Sequence, residues 1–256
     1  MKIAIVTGAS SGLGKEFIHQ ISKKEKVDEI WAIARRKDKL QELASIIKMP
    51  VRPIALDLKK DESFLELETM LEAEKPDIRL LVNDAGFGRM GNYAEITSAD
   101  NDGMIDLNCK ALVRMTVLCL PYINRGGRVI EVCSSSSFQP LPGLNVYAAS
   151  KAFVLRYSRA LWWEVIGRGI HVTAACPYWI KDTEFISTVK KSENSFAVRH
   201  FPLASKPHSV VYLALLGSRF NLQVVSCGPV SFFQRICSKF IPHIVVDAAW
   251  EGIRRI

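Results

Sequence analysis

The sequence lacks several features that would assign it to other classes of protein. Its six cysteines form no C-x-x-C pair and stand in apolar stretches, which is typical of reduced structural cysteines and not of a metal site. No apolar run is long enough to span a membrane, and strand-like sequence begins at Lys2, so no signal peptide is expected. Lysine and arginine are dispersed, so the net charge of +8 indicates no nucleic-acid partner. We therefore expect a cytoplasmic protein without a metal ion.

Strand-like and helix-like stretches alternate along the chain, and no repeat or linker divides it. Strands are predicted at 2–7, 29–34, 51–56, 79–82, 127–132, 169–174 and 222–226. Helices are predicted at 12–24, 37–47, 60–74, 98–122, 147–167 and 207–217. Such alternation predicts an α/β fold, with a single doubly wound parallel sheet of the Rossmann type and helices on both faces. We expect residues 1–256 to form one domain that binds its ligands at the carboxyl ends of the strands.

A glycine-rich turn joins the first predicted strand to the first predicted helix. Its sequence, Gly8-Ala-Ser-Ser-Gly12-Leu-Gly14, has the spacing G-x-x-x-G-x-G and differs from the more familiar G-x-G-x-x-G. Glycines let a ligand approach the backbone, and the first N–H groups and the dipole of the helix favour an anion. The turn therefore predicts a phosphate-binding cradle, with a plain glycine turn as the alternative.

Tyr147 and Lys151 stand four residues apart in a predicted helix, so their side chains share one face. Two unit charges about 5 Å apart attract by roughly 3 kcal/mol at an effective dielectric near 20. That energy corresponds to about two pKa units. We therefore expect Lys151 to lower the pKa of Tyr147, which makes the phenol an acid or base near neutral pH. The pair alone is weak evidence, because both residue types are common on helix surfaces.

Together these motifs resemble the classical short-chain dehydrogenase/reductase family over about residues 2–228. The matching segments occur in the family's order, and they are 7–14, Asp57, 83–86, Asn108, Ser134 and 147–151. The interval from Ser134 to Tyr147 is also that of the family. The resemblance implies hydride transfer between a nicotinamide and a small-molecule substrate, and a homodimer or homotetramer.

The resemblance also implies the roles of four catalytic residues. Tyr147 acts as acid and base, and Lys151 lowers its pKa and holds the nicotinamide ribose. Ser134 binds the substrate oxygen, with Ser135 as the alternative in the same serine run. Asn108 holds a water that links the lysine to solvent, and its alternative is a helix kink or a satisfied buried amide. All four are present, which favours an enzyme over a non-catalytic sensor or scaffold that binds NADP(H).

The end of the second strand favours NADP as the cofactor. Ala34 stands where an NAD-preferring site places a carboxylate, and the neighbouring Arg35 fits a 2′-phosphate. The alternative is that Arg35 and Arg36 belong to a solvent-facing loop. The full set of expected cofactor contacts is Gly8, Ser10, Ser11, Gly12, Leu13, Gly14, Arg35, Asp57, Leu58, Asn83, Ala85, Gly86, Tyr147, Lys151, Pro177 and Ile180.

Three positions complicate these cofactor assignments. Asp57 resembles the family's adenine-contacting aspartate, and its alternative is an N-cap for the helix that starts near Lys60. Asp84 replaces the family's second asparagine, from which we expect a changed hydrogen-bond network and retained activity. Thr183 lies one residue later than the family's threonine, which weakens its assignment to the nicotinamide carboxamide.

The remaining segments predict a hydrophobic substrate pocket. Tyr178 replaces a family glycine, and we expect Tyr178 and Trp179 to wall the pocket. A substrate lid is expected at about 184–206. The apolar candidates are Phe138, Leu141, Leu144, Phe185, Ile186, Phe196 and Phe201. They favour a hydrophobic ketone or secondary alcohol over a sugar.

The C-terminal extension, about 229–256, contains aromatic and aliphatic residues interleaved with polar ones. We expect a helix that packs against the pocket or a partner subunit. The alternative is an amphipathic helix that lies on a membrane surface, although membrane contact is not the first expectation.

Overall fold

The computed structural model describes residues 1–181 and 203–254. Seven strands of the described residues form one parallel sheet with the order β3-β2-β1-β4-β5-β6-β7. The strands are β1 Lys2–Thr7, β2 Glu29–Ala34, β3 Val51–Ala55, β4 Asp77–Asn83, β5 Arg128–Val132, β6 His171–Cys176 and β7 Val224–Ser226. The predicted α/β fold with a single doubly wound sheet is confirmed.

Helices cover both faces of this sheet. They are α1 Gly12–Lys24, α2 Lys37–Ile46, α3 Asp61–Glu74, α4 Ser98–Ile105, α5 Leu112–Cys119, α6 Asn145–Val165, α7 Pro207–Arg219, α8 Pro229–Phe240 and α9 His243–Arg254. Among these, none combines the length and the apolar character that crossing a bilayer requires.

Two predicted helices are interrupted in the structure. The segment predicted as one helix at 98–122 contains a π-helical turn, Asp106–Ala111, between α4 and α5. A π-turn carries no signature in single-residue propensities, and such turns are often found at functional sites. The C-terminal extension forms two helices, because Pro242 follows α8 and has no N–H with which to continue it.

The core has two layers, one on each face of the sheet. Along β1, Ile3 and Ile5 pack toward α3, α5 and α6, whereas Ala4 and Val6 pack toward α1, α2 and α7. All four side chains are fully buried. A parallel strand covered on both faces has no polar side, which explains the continuous apolar run at the start of the sequence.

The glycine turn brings the start of α1 very close to the end of β1. Gly8 has a φ of +69°, a backbone conformation that favours glycine. A Cβ placed on Gly14 would lie only 2.4 Å from the backbone oxygen of Gly8. Both glycines are therefore required by the backbone geometry of the turn.

Gly14→Ala is expected to destabilise the protein by about 1–3 kcal/mol, because the added methyl group must push backbone against backbone. Gly167 offers a matched control, since a Cβ there would meet no atom within 4 Å. Thermal unfolding of Gly14→Ala and Gly167→Ala, measured by scanning fluorimetry, makes the comparison. Equal melting temperatures for the two variants would contradict the close packing.

Candidate active site

A cavity of about 870 Å³ lies at the carboxyl ends of the strands. It runs from the glycine turn past the ends of β4 and β5 to α8 and α9, and its size is that of a small-molecule site. Most of the predicted site residues line it, namely Gly8, Ser10, Ser11, Gly12, Leu13, Arg35, Asp57, Leu58, Ala85, Gly86, Ser134, Tyr147, Lys151, Pro177 and Ile180. The fold thus brings together residues from distant parts of the sequence.

Three predicted site residues lie behind the cavity wall. Gly14 packs against the backbone of Gly8. Asn83 and Asn108 are buried, with 3 % and 0 % of their surface exposed. These three residues support the cavity wall from behind.

Asn108 ties the loop after β4 to the start of α6. Its Oδ1 accepts a hydrogen bond from the Phe87 N–H at 3.0 Å, and its Nδ2 donates to the Phe87 carbonyl at 2.9 Å. Nδ2 also donates to Ser150 Oγ at 3.0 Å, and that hydroxyl donates to the Tyr147 carbonyl at 2.7 Å. A Cβ on Gly86 would lie 2.8 Å from Asn108 Oδ1, so glycine allows this approach. Asn108 is therefore a buried amide with its hydrogen bonds satisfied, which was the alternative given for it.

Tyr147, Ser134 and Lys151 meet at the centre of the cavity. The side chains of Tyr147 and Ser134 are hydrogen bonded, and Ser134 Oγ also accepts a hydrogen bond from the Ser136 N–H at 3.2 Å. Lys151 Nζ donates to the Val132 carbonyl at 2.8 Å and lies 6.0 Å from the centre of the tyrosine ring. The ammonium is therefore held by β5.

The expectation that Lys151 lowers the pKa of Tyr147 is wrong for the protein alone. Burial raises the pKa of Tyr147 well above its ordinary value of 10.0, and the hydrogen bond from Ser134 offsets only part of this rise. The loss of hydration disfavours the phenolate more than the neighbouring groups favour it. The neutral phenol is thus the form that this site holds.

Asp84 links the loop after β4 to the glycine turn. Its carboxylate accepts a hydrogen bond from the Gly14 N–H, and its own N–H donates to Thr7 Oγ1 at 3.0 Å. Burial raises the pKa of Asp84 to about 7, although Lys151 and the Gly14 N–H both act to lower it. At the position of the family's second asparagine, the aspartate therefore bonds to the first turn of α1.

A buried acid that sequence analysis missed lies in the middle of the sheet. Glu131 on β5 is fully buried, and its Oε1 accepts a hydrogen bond from Thr116 Oγ1 at 2.8 Å. Its Oε2 accepts one from Asn83 Nδ2 at 3.1 Å. Burial raises the pKa of Glu131 to about 7. The only signal in the sequence is a single acidic residue inside an apolar strand, which belongs to no motif.

The two arginines after β2 line the cavity but differ in their contacts. Arg36 donates from Nη2 and Nε to Ser10 Oγ, at 3.1 and 3.3 Å. Arg35 is exposed and lies at the cavity edge beside Ala34. Arg36, which was not among the predicted cofactor residues, is therefore a second guanidinium beside the glycine turn.

Asp57 stands in the cavity wall and does not cap α3. Its Oδ1 accepts a hydrogen bond from the Lys59 N–H at 3.1 Å, which closes a short turn after β3. The N-cap of α3 is Lys60, whose side chain makes no capping hydrogen bond. Asp57 therefore does not act as the N-cap of α3, which was the alternative given for it.

The far half of the cavity is walled by apolar side chains and by the C-terminal helices. Trp250 of α9 donates from Nε1 to the Pro142 carbonyl at 3.0 Å and packs in one cluster with Leu141, Leu144 and Trp179. The other lining residues from these helices are Val230, Phe233, Gln234, Cys237, Val246 and Ala249. Both helices therefore contribute directly to the cavity wall.

Some expected pocket residues lie elsewhere. Phe138 packs against the cluster of Leu112 and Val154 beneath the loop, and does not line the cavity. Thr183, Phe185, Ile186, Phe196 and Phe201 lie outside the described residues, as does most of the expected lid at 184–206.

Comparison with known proteins places the chain in a family. The sequence profile described as short chain dehydrogenase matches residues 2–194. The NADP-dependent 3-hydroxy acid dehydrogenase YdfG of Escherichia coli K12 is 31% identical over 242 residues, which cover 90% of this chain and 95% of that relative. The human very-long-chain 3-oxoacyl-CoA reductase is 29% identical over 234 residues, which cover 84% of this chain and 73% of the reductase.

Solved structures agree with this assignment. The closed form of serine dehydrogenase complexed with NADP+ has a TM-score of 0.78 and 29% identity, and the match covers 90% of this chain and 95% of that one. A short-chain dehydrogenase from Sphingobium yanoikuyae in complex with NADPH shares the fold, with a TM-score of 0.77, 24% identity and coverage of 100% and 96%. The chain therefore belongs to the short-chain dehydrogenase/reductase family, as its motifs predicted. It is an NAD(P)-dependent oxidoreductase that acts on alcohol and carbonyl groups.

Asp84→Asn is expected to flatten the dependence of stability on pH. The pKa of Asp84 rises from 3.8 to about 7 on folding, so the folded state loses stability as the pH increases from about 4 to about 7. Asparagine has nearly the same shape as aspartate but does not ionise, so the variant should not lose stability over this pH range. The melting temperature of the variant, relative to wild type, should be higher at pH 8 than at pH 5.

Asp38→Asn, which changes an exposed carboxylate of α2, is the matched control and should show no such difference between the two pH values. If Asp84→Asn and Asp38→Asn behave alike, the carboxylate of Asp84 is not held in a poorly hydrated site. Activity of Asp84→Asn should persist at both pH values, because Asp84 lines the cavity but bonds to the Gly14 N–H and is not one of the four predicted catalytic residues.

Proposed function

We propose that this protein is an NADP(H)-dependent oxidoreductase that interconverts a hydrophobic ketone and a secondary alcohol, with Tyr147 as the acid and base. One observation carries the proposal. The hydrogen-bonded hydroxyl groups of Tyr147 and Ser134 lie where the cavity half next to the glycine turn meets the apolar half. A carbonyl oxygen placed there would contact both hydroxyls.

The residues around the glycine turn fit the phosphates of NADP. The first turn of α1 carries no acidic residue, and the side chain of its N-cap, Ser11, makes no capping hydrogen bond. Helix N-termini of this kind favour a diphosphate. Arg35 and Arg36 stand at the end of β2, where a guanidinium suits a 2′-phosphate. The NADP-dependent relatives support the same preference.

When bound, the nicotinamide supplies or accepts the hydride, and the protein then has to move the proton on oxygen. The raised pKa keeps the Tyr147 hydroxyl protonated, so it is ready to donate to a carbonyl oxygen during reduction. Ser134 donates a second hydrogen bond to that oxygen and stabilises its developing charge. Lys151, held by the Val132 carbonyl, would hold the nicotinamide ribose.

The apolar half of the cavity supports a hydrophobic substrate. Trp179 and Trp250 face it together with Leu141 and Leu144, and all four belong to one apolar cluster. Such walls bind an aliphatic or ring-shaped carbonyl compound through its apolar area. The relatives that act on acyl or hydroxy-acid substrates favour an acyl chain within this class.

A non-catalytic sensor that only binds NADP(H) is the second candidate. Such proteins are expected to lose a member of the proton relay. Here Ser134, Tyr147 and Lys151 line the same cavity, and Asn108 braces it from behind. The intact arrangement favours turnover.

Tyr147→Phe is expected to lower kcat by at least about 100-fold, because it removes the titrating hydroxyl of the relay. The ring stays, so the affinity for NADPH should remain close to that of wild type. Oxidation of NADPH with a panel of hydrophobic ketones gives the rate, and quenching of tryptophan fluorescence gives the affinity. A variant that keeps more than about a hundredth of the rate would remove Tyr147 from this role.

The double variant Ala34→Asp, Arg35→Ala is expected to shift the preference from NADP toward NAD by about 10²- to 10⁴-fold. Each change should count for about 1.5–3 kcal/mol, because a charge-assisted bond is lost and a repulsion is added. The measurement is kcat/KM with both cofactors. Arg36→Ala is the companion variant. If only Arg36→Ala changes the ratio, Arg36 and not Arg35 binds the 2′-phosphate.

Trp250→Ala is expected to raise KM for ketones that fill the apolar half and to favour bulkier ones, with a smaller change in kcat. Removing an aromatic wall leaves less apolar area for the substrate to contact. Trp163→Ala is the control, because Trp163 is exposed on α6. A Trp250→Ala protein that loses NADPH affinity while its KM for ketones is unchanged would show a structural role only.

A further inference from the structure

We propose that the C-terminal helices bind this protein to the surface of an anionic lipid bilayer, and that the substrate cavity opens at that surface. The contact region consists of apolar residues that α8 and α9 leave exposed. We call it the C-terminal apolar surface, and it comprises Phe232, Phe233, Ile236, Phe240, Ile241, Ile244 and Val245.

The first argument is the size and position of this surface. Phe232, Phe233 and Phe240 are 57 %, 69 % and 81 % exposed. With 150–250 Å² for an aromatic side chain, these three alone expose roughly 300–500 Å². That matches the largest apolar patch of a typical soluble monomer before the four aliphatic residues are added. A patch of this size indicates a binding surface.

The second argument is the amphipathic arrangement of α8. Phe232, Ile236 and Phe240 follow one another at intervals of four residues, so they share one face of the helix. The opposite side is fixed to the sheet, since Ser231 is fully buried and its Oγ donates to the Cys176 carbonyl at 2.6 Å. The apolar face therefore cannot turn inward, and it lies flat as an interfacial helix does.

The third argument is charge, and it selects a lipid over a second copy of this chain. Residues 229–246 contain no aspartate or glutamate, and they carry the exposed Lys239 and the half-buried Arg235, whose Nη1 donates to the Val224 carbonyl, in a protein of net charge +8. A symmetric dimer through this surface would place like charges against each other. Anionic headgroups complement them, and Lys239 is exposed beside Phe240.

The fourth argument is continuity with the cavity. Phe233 belongs to the C-terminal apolar surface and also lines the cavity. A hydrophobic carbonyl compound dissolved in the bilayer would therefore enter without crossing water. This entry route rests on the proposed function, whereas binding to the bilayer does not.

Sedimentation of the full-length chain with lipid vesicles tests the proposal without cofactor or substrate. The vesicles contain phosphatidylcholine with or without phosphatidylglycerol. We expect the protein to sediment with the anionic vesicles, and less so at high salt. Phe240→Ser with Ile244→Ser should weaken this binding by about tenfold or more, and neither residue lines the cavity. Lys239→Glu should weaken it by about fivefold or more, on anionic vesicles only.

Ile46→Ser with Leu65→Ser is the matched control, because both residues are exposed aliphatics on α2 and α3. Circular dichroism verifies that each variant folds. The proposal is overturned if the wild type stays in the supernatant with both vesicle types, or if the control pair reduces binding as much as Phe240→Ser with Ile244→Ser. Light scattering adds one further outcome. A dimer that Phe240→Ser with Ile244→Ser dissociates, with no vesicle binding by the wild type, would make a second copy the occupant.

Discussion

The active site depends on how helix α6 is fixed over the ends of β4 and β5. Lys151 contributes one side-chain contact and one backbone contact to this arrangement. Its Nζ donates to the Val132 carbonyl, and its backbone carbonyl accepts a hydrogen bond from Cys133 Sγ at 3.0 Å. One residue earlier, Ser150 is bonded to Asn108 on the π-helical turn. Since Tyr147 lies one turn before Lys151 on the same helix, these contacts also determine where its hydroxyl stands. The proposed catalytic groups are thus held in place by contacts within the protein itself.

Burial affects the protonation of Asp84 and Glu131 more strongly than the nearby Lys151 does. Asp84 and Glu131 both have a pKa raised to about 7, each by loss of hydration, although Lys151 acts to lower both. With its raised pKa, Asp84 carries less negative charge near neutral pH than an exposed aspartate beside the first turn of α1 would. Lys151 therefore offsets only part of the effect of burial on the pKa of the two acids.

The sequence was informative wherever function requires a fixed residue at a fixed spacing. The glycine turn, Asn108, Ser134, Tyr147 and Lys151 could be located from the order and intervals of their motifs, and the sheet followed from the alternation of strands and helices. Features that arise only from packing could not be located in this way. The π-helical turn, the hydrogen bonds of Glu131 and the contact of Arg36 with Ser10 each depend on elements that are far apart in the chain. The pKa of Tyr147 was misjudged for the same reason, because spacing reveals a nearby lysine but not the loss of water around a phenol.

The contact between the Trp250 indole and the Pro142 carbonyl joins the end of the chain to the loop that leads into α6. The four proposed catalytic residues all come before residue 181, whereas α8 and α9 contribute part of the cavity wall among the described residues. Substitutions in these two helices can therefore reshape the cavity without altering the sheet or the proposed catalytic residues.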